Sequence, residues 1–325
     1  GIAAAVVTVA IWTSFIVVAR FMALKTLTPW DIVACRIVGA ALVLLPWGLW
    51  MVRRQRAVHP AAAEHHTWLG LSPLSRRLTV LVGAFGGVAY AVFAYNAFVF
   101  APAAHGSVLL PGMLPLSTAL FSVWLLGERL TPVRMGALAL ILCGALLVGG
   151  ASLLKAFDGG EVWKGDVLFV CASTCWAVYT VLCRKHHLAA VPATIAVVVF
   201  CVLVYLPVYA AGALSGLLPS RLAQAPWGEI AFQTLWQGMG SVVVSGIAFT
   251  KMVQHFGPIR STMMTAIVPG LSALGAVLFL GEPLYWNLLA GLALVTLGIV
   301  LGVRAVKSDA TKLVAAHADI TPAKS

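Results

Sequence analysis

Side chains able to carry catalytic or metal chemistry are few in this sequence. Half of its ten acidic residues lie beside long apolar runs, near the run ends: Asp31, Glu128, Asp166, Glu229 and Glu282. A carboxylate that relays protons through a membrane is instead expected at depth. There is no H-E-x-x-H, C-x-x-C or phosphate-loop motif, and all six cysteines lie in apolar runs. We therefore predict no catalytic residue, no metal, no cofactor, no enzyme activity and no ATPase subunit.

Aromatic and polar side chains in the middle of the apolar runs suit the binding of a small molecule. Trp12 and Trp176 lie mid-run, and a buried indole N–H needs a partner. Gln237, Ser241 and Ser245 share one helical face, because they are spaced by four residues. For both sets, a cavity wall and plain packing between helices remain open. The candidates of this type are Trp12, Tyr95, Trp176, Tyr179, Gln237, Ser241 and Ser245.

Prolines inside two of the apolar runs are further candidates. Pro115 and Pro269 each remove a backbone donor and free the carbonyl four residues earlier, that of Pro111 and of Thr265. Each proline has a glycine nearby, which makes the segment deformable. We predict a hinge or substrate contact at Pro111, Pro115, Thr265 and Pro269; a packing kink satisfied by neighbouring helices is the alternative.

Composition identifies the elements that must position these side chains. Of 325 residues, 61% are hydrophobic and 10% are charged, and the mean hydropathy is +0.99. A soluble globule carries about 25% charged residues, so a soluble enzyme is excluded, as is a disordered chain. The net charge of +11 reflects a surplus of Lys and Arg, which in membrane proteins is typical of cytoplasmic loops. No basic segment is interleaved with aromatic residues as in a nucleic-acid-binding protein. The sequence predicts an all-α integral membrane protein, with lipid around it and no nucleic acid bound.

Apolar runs of about 20 residues predict membrane-spanning helices. We predict ten, at about 2–22, 29–52, 78–100, 103–126, 132–150, 165–186, 191–215, 229–254, 257–280 and 284–304, with Gly257-Pro258 as the turn between the eighth and ninth. Fifteen of the 21 Lys and Arg residues lie in the even-numbered connections and the tail, and five lie in the odd-numbered ones. This bias predicts that both termini, the loop 53–77 and the tail 305–325 are cytoplasmic.

The chain also repeats itself. A shift of 154 residues places Gly127-Glu128 on Gly281-Glu282 and Pro115 on Pro269, and a shift of 164 places Trp12 on Trp176 and Arg20 on Arg184. The repeats cover 1–150 and 164–304 with five spans each. Because five is odd, the second copy must be inverted relative to the first. Inverted repeats are typical of transporters whose substrate binds near the midplane between the halves.

These paired tryptophans, prolines and G-E-x-L corners resemble the EamA-type transporters of the drug/metabolite transporter superfamily, over nearly the whole chain. Within that superfamily the sequence is similar to the amino-acid exporter branch, including the bacterial aromatic amino-acid exporter. The resemblance implies ten helices in two inverted halves, location in the bacterial inner membrane, and export of small metabolites.

We therefore expect a secondary transporter that exports amino acids, aromatic and hydrophobic ones included, through a cavity between the repeats. A carrier of organic anions or phosphorylated sugars is the first alternative, and it would need Arg36, Lys251 or Arg260 to reach the cavity. A channel-like or structural membrane protein is the second. Arg36 is expected to snorkel or to pair with Asp31 rather than to bind an anion. Glu128 and Glu282 are expected to cap the helices that follow them.

Overall fold

The computed structural model describes residues 1–58, 68–128, 130–156, 158–265 and 267–320. Helices joined by short turns make up almost all of these residues. In chain order they are α1 (Ile2–Ala23), α2 (Pro29–Val58), α3 (Arg76–Phe100), α4 (Ala103–Leu126), α5 (Pro132–Ala156), α6 (Val162–Lys185), α7 (Ala190–Leu214), α8 (227–265), α9 (Val268–Leu280) and α10 (Trp286–Ile320).

The helices have the length and apolar composition of membrane spans. Within the residues that the structure describes, α1 to α7 and α10 each contain a stretch long and apolar enough to cross a bilayer. Helix α9 is apolar but has only 13 residues. The chain is therefore an all-helical, multi-pass membrane protein, because lipid leaves the backbone polar groups no partners outside the helix. The count of ten spans stays a prediction.

Helix boundaries differ from the prediction at three places. The predicted turn at Gly257-Pro258 is wrong, because the last segment of α8 is helical from Ser245 to Thr265 and the break comes after it. Pro269 is the second residue of α9, where its missing N–H costs the helix no hydrogen bond. In the predicted loop 53–77, α2 continues to residue 58 and α3 begins at residue 76, while 59–67 lie outside the described residues. Helix α10 extends past residue 304 to residue 320 in the predicted tail, and 321–325 are not described.

The two predicted G-E corners have the same local structure. The segment Leu114–Leu126 of α4 and the whole of α9 each have 13 residues. Each ends at a glycine with positive φ, 68° at Gly127 and 66° at Gly281. In both corners the amides of this glycine and of the next residue, Glu128 or Glu282, donate to carbonyls four and six residues earlier. Glycine adopts positive φ without steric cost, which explains why it stands in both corners.

Segments with the wider π-helical turn also recur at the predicted interval. Residues Ala84–Ala89 of α3 and Thr234–Val244 of α8 are π-helical. A shift of 154 moves 84–89 onto 238–243, inside the second segment. π-helical turns add a residue to the turn, redirect the side chains and are frequent at functional sites.

Helices α5 and α10 pack through glycines in a reciprocal way. A Cβ on Gly144 would lie 2.6 Å from the Gly291 carbonyl oxygen, and a Cβ on Gly298 would lie 2.7 Å from that of Ala137. The shift of 154 converts Gly144 into Gly298 and Ala137 into Gly291. The same backbone contact is therefore made from each side, as expected for small residues between membrane helices.

The first helices of the two predicted repeats run in opposite directions. Helix α1 ends near Arg20, whose Nη1 donates to the Phe98 carbonyl at the end of α3. Helix α6 begins there, because a Cβ on Gly165 would lie 2.5 Å from the Ala101 side chain. At 1.5 Å per residue, α6 then carries Arg184 about 30 Å away. We call the end of the bundle with the α3–α4 connection the odd end, and the opposite end, at Arg184, the even end.

Candidate functional site

Helices α1, α2, α3 and α8 meet at the guanidinium of Arg36 on α2. Its Nη1 donates to Tyr95 Oη on α3 over 3.3 Å and to Ser241 Oγ on α8 over 3.2 Å. Its Cζ lies 5.8 Å from the centre of the Phe15 ring on α1. Arg36 thereby joins two predicted site residues, Tyr95 and Ser241, that are 146 positions apart in the chain.

Asp31 does not pair with Arg36, so that interpretation is wrong. Its carboxylate is fully buried and accepts hydrogen bonds from the side chains of Thr28, Tyr209 and Ser220 and from the amides of Thr28 and the residue after Ser220. Residues five apart lie about 140° apart around an α-helix, so the two side chains leave α2 on different faces. Asp31 closes the α1–α2 turn against the end of α7, a structural role.

The polar stripe of α8 faces protein. Gln237 is fully buried, and neither its Oε1 nor its Nε2 has a hydrogen-bond partner among the described residues. Gln233, one turn earlier, is buried and unpartnered in the same way. Ser245 donates to the Ser241 carbonyl and leaves the Ser241 hydroxyl to Arg36. Buried amides without partners are costly, so these glutamines offer donors and acceptors to a polar guest or water.

The paired tryptophans each contact an aromatic ring of the opposite predicted half. Trp12 on α1 stacks on Phe249 of α8, with ring centres 5.2 Å apart and planes inclined by 25°. Trp176 on α6 lies 4.8 Å from Tyr90 of α3 and 5.1 Å from Tyr179. All are half-buried. The two contacts place aromatic surface between the predicted halves, one between α1 and α8 and the other between α3 and α6.

The described residues include two Arg–Glu pairs that join the predicted halves at opposite ends. At the odd end, Arg20 Nε lies 3.4 Å from Glu282 Oε1. At the even end, Arg184 pairs with Glu128. The repeat equates Arg20 with Arg184 and Glu128 with Glu282. Each pair therefore ties the first helix of one half to the G-E corner of the other.

Glu282 caps a helix, but not the one that was predicted. Its Oε1 accepts from the amide of Ala103 over 2.9 Å and its Oε2 from that of Ala104 over 3.0 Å. These amides open α4, in the other half, whereas the expected partner was the helix that follows Glu282. A carboxylate at a helix N-terminus is stabilised by free N–H groups and the helix dipole. Glu282 thus holds both Arg20 and the start of α4.

The predicted prolines lie at the helix breaks. Helix α4 is interrupted at Met113, between Pro111 in its first part and Pro115, the second residue of its second part. Pro269 is likewise the second residue of α9, after the break that follows the half-buried Thr265. The first part of α4 packs against α9. The proline-marked breaks of the two predicted halves are therefore neighbours.

His105 at the start of α4 has a carboxylate partner. Its Nδ1 lies 2.9 Å from Oδ1 of Asp166, in the first turns of α6. Both side chains are largely buried, at the odd end, close to the cap at Ala104. The pair lies at a span end, as the sequence predicts for the acidic residues.

An open groove lies apart from these contacts, between α2, α7 and α8. Leu44, Trp47 and Thr194 are among its lining residues, and its surface is mainly apolar. It contains none of the predicted site residues, so the candidate site remains the set of contacts around Arg36, the two tryptophans and the proline breaks.

Comparison with known proteins now identifies the family. The model of the EamA-like transporter family matches residues 1–150 and 163–304. The chain belongs to this family. Its family and its relatives support transport of small molecules as its general function.

Relatives of this EamA-like transporter include one with a named activity. The aromatic amino acid exporter YddG of Ancylobacter novellus is 30% identical over 240 residues, which cover 68% of this chain and 80% of the exporter. An uncharacterized transporter of Archaeoglobus fulgidus is 27% identical over 55% of each chain. The uncharacterized transporter YyaM of Bacillus subtilis is 23% identical over 64% of this chain and 68% of its own. A crystal structure with 21% identity superposes with a TM-score of 0.55 over 92% of this chain and 95% of the other, a likeness of fold alone.

Some residues of the candidate site in this transporter were missed by sequence reasoning. Gln233 continues the predicted stripe of α8 by one turn, so its four-residue spacing from Gln237 was a usable signal. Phe249, the partner of Trp12, lies four residues after Ser245 on the predicted stripe and corresponds to Tyr95 under the shift of 154, whereas Tyr90, the partner of Trp176, carries no motif. Arg36 was noticed but given the wrong partner, since nothing local to α2 indicates that α3 and α8 approach it.

Replacing Pro115 or Pro269 with alanine is expected to slow transport by about tenfold, or roughly 1.4 kcal/mol, while lowering expression much less. Proline at the second position stops the helix from extending backwards, whereas alanine supplies an N–H for the carbonyl four residues back and so favours a helix that runs straight through the break. The measurement is substrate counterflow in proteoliposomes at matched protein content. Pro46→Ala is the control, because Pro46 is an exposed proline inside α2. Wild-type rates in both variants would make the breaks packing kinks.

Proposed function

We propose that this protein is a secondary exporter of small amphipathic metabolites, chiefly aromatic and hydrophobic amino acids, in the bacterial inner membrane. Ten spans form two inverted halves, 1–150 and 164–304, that rock about a central cavity. Both termini, the loop 53–77 and the tail 305–325 face the cytoplasm. The substrate contacts are the predicted set around Trp12, Trp176 and the stripe of α8, and the protein works without a cofactor, metal or ATPase subunit.

The reciprocal Arg–Glu pairs carry the alternating-access part of this proposal. An alternating-access carrier must close one end of its cavity while the other opens, so it needs a releasable contact between the halves at each end. Arg20–Glu282 at the odd end and Arg184–Glu128 at the even end have this placement. Opening the odd end would separate Arg20 from Glu282 while the other pair holds, and the reverse motion would do the opposite.

The aromatic contacts support the substrate class. Trp12 with Phe249 and Trp176 with Tyr90 present large apolar rings with polar edges at the seams between the halves. Aromatic side chains prefer offset or edge-to-face partners, so such walls suit a ring-bearing guest. The similarity to an aromatic amino acid exporter points the same way.

One alternative keeps a specific observation in its favour. A carrier of organic anions or phosphorylated sugars needs a cation in the cavity, and Arg36 bonds to two predicted cavity residues. Lys251 is exposed, and the side chain of Arg260 lies outside the described residues. A channel-like protein is the remaining alternative, which differs in that its flux would not saturate.

Counterflow in proteoliposomes separates these alternatives. Vesicles are loaded with unlabelled phenylalanine, and entry of labelled phenylalanine is measured against competition by tryptophan, leucine, glucose 6-phosphate and 3-phenylpropionate. We expect saturable counterflow in which tryptophan and leucine compete. Exclusive competition by glucose 6-phosphate or by 3-phenylpropionate would favour the anion carrier, and unsaturable flux would favour a channel.

We further propose that transport follows the substrate gradient with at most weak coupling to protons. The acids lie at helix ends, where Asp31 is enclosed by hydrogen-bond donors and Glu282 caps α4. The same vesicles with an imposed pH gradient and no other energy source provide the test. Accumulation of phenylalanine that a protonophore abolishes would contradict this and would point to His105 and Asp166.

A further inference from the structure

Arg36 is a cation at membrane depth with hydrogen-bond donors that no described residue uses. It lies seven residues into α2, about 10 Å along the helix from Pro29. A guanidinium within a membrane span is costly unless it is paired or lines a polar cavity. Among the described residues no carboxylate lies within ion-pair distance of it, and Asp31 is engaged elsewhere. Its charge is therefore uncompensated by any described acid.

The donors of Arg36 are only partly used. Both of its hydrogen bonds leave from Nη1, to neutral hydroxyls of Tyr95 and Ser241. The Nε and Nη2 atoms donate to none of the described residues. Neither belongs to the side-chain atoms that are buried from solvent and lack a hydrogen-bond partner. These two atoms form one edge of the planar guanidinium, with parallel donors spaced to match the two oxygens of a carboxylate.

A second polar group lies on the face of α8 that carries Ser241. Gln237 stands one turn before Ser241, the residue that accepts from Arg36, and it is fully buried with both amide atoms unpartnered. Its Nε2 supplies a further donor for an anion, and its Oε1 an acceptor for an ammonium group. Phe15, whose ring centre lies 5.8 Å from the guanidinium carbon, adds an apolar surface beside Arg36.

Resting on the proposed function, we infer that the Nε–Nη2 edge of Arg36, together with the Gln237 amide, binds the carboxylate of the transported amino acid. The bonds to Tyr95 and Ser241 orient the guanidinium and leave this edge free. Because Tyr95 is on α3 and Ser241 is on α8, equivalent helices of the two halves, a carboxylate bound here would contact the seam that must move. The substrate class is thereby narrowed to metabolites that carry a carboxylate next to an apolar or aromatic group.

The test compares ligands that differ only in the carboxylate. Thermal stability of the purified protein is measured with L-phenylalanine, with phenethylamine, which lacks the carboxylate, and with 3-phenylpropionate, which lacks the ammonium. In the wild type we expect stabilisation by phenylalanine and little by phenethylamine. In Arg36→Gln the affinity for phenylalanine should fall roughly ten- to hundredfold, the usual loss for a charge-assisted hydrogen bond, and Arg36→Lys should retain part of it. Gln237→Leu should cause a smaller loss, and Arg54→Gln, an arginine near the end of α2 beside Trp50, should cause none.

Folding and function are kept separate by two readouts. The melting temperature without ligand reports whether Arg36 merely links α2, α3 and α8, since a structural role would lower it without changing the preference for carboxylates. Equal binding of phenylalanine and phenethylamine by the wild type, or unchanged phenylalanine affinity in folded Arg36→Gln, would overturn the inference. If phenylalanine counterflow were still observed, the proposed function would stand. Binding of no carboxylate by the wild type would overturn the inference too, and absence of counterflow as well would remove the proposed function.

Discussion

Exchanging the charges of Arg184 and Glu128 is expected to preserve transport, whereas the same exchange at Arg20 and Glu282 is expected to abolish it. The single reversals Arg184→Glu and Arg20→Glu each set two carboxylates against each other, and each should slow counterflow. The Arg184 side chain is 57% exposed, so solvent screens the repulsion and the loss of counterflow rate in Arg184→Glu should stay within about fivefold. Arg20 and Glu282 are 18% and 13% exposed, and a loss of at least about tenfold is expected there.

The double variants should then diverge. Arg184→Glu with Glu128→Arg recreates a pair of opposite charges and should recover. Arg20→Glu with Glu282→Arg should not recover transport. An arginine at 282 cannot accept hydrogen bonds from the amides of Ala103 and Ala104, and it would put a cation at the start of α4. Counterflow rates and melting temperatures of all four variants provide the measurement. Recovery at both ends would mean that the caps are dispensable, and recovery at neither would mean that pairing is not what these residues contribute.

Replacing Gly39 with alanine is expected to have the largest effect on stability and to disable the site with it. A Cβ on Gly39 would lie 1.9 Å from the Thr234 carbonyl oxygen, and one on Gly238 would lie 2.5 Å from the Cα of Gly39. The obstacle is backbone, so α2 and α8 must separate, and overpacking of this kind costs about 1–3 kcal/mol or more. Gly39 is one turn from Arg36, so the separation should also break the contact with Ser241.

The control for Gly39→Ala is Gly246→Ala on α8, where an added Cβ would meet nothing within 4 Å. Alanine favours helix over glycine by about 1 kcal/mol, so the control should be as stable as the wild type or slightly more so. The measurements are the melting temperature in detergent and phenylalanine counterflow. A stable, active Gly39→Ala protein would show that the two helices are free to move apart without loss.

The repeat could be predicted from sequence because its marks are local. A G-E corner needs a glycine with positive φ at a helix end, and this requirement appears at Gly127 and again at Gly281. The capping of a helix by Glu282 was foreseen for the same reason, since a carboxylate beside a helix end has a limited choice of partners. Which helix it caps was not, because the start of α4 is 179 residues away in the chain.

Hydropathy alone determined that this chain is a helical membrane protein, since uncompensated backbone groups cannot enter lipid and about 20 apolar residues are needed to cross it. The order of residues also determined that the tryptophans, the arginines and the G-E corners recur at matching positions along the chain. Tertiary structure decided which residues contact each other. Arg36 bonds to Tyr95 and Ser241 rather than to Asp31. Arg20 and Arg184 each pair with the glutamate of the other predicted half. The reason is that periodicity specifies the face of a helix on which a side chain lies, whereas its partner depends on which helices pack together and how closely. In this protein that choice is made by glycine contacts such as Gly39 with Gly238, where backbones touch and no side chain intervenes.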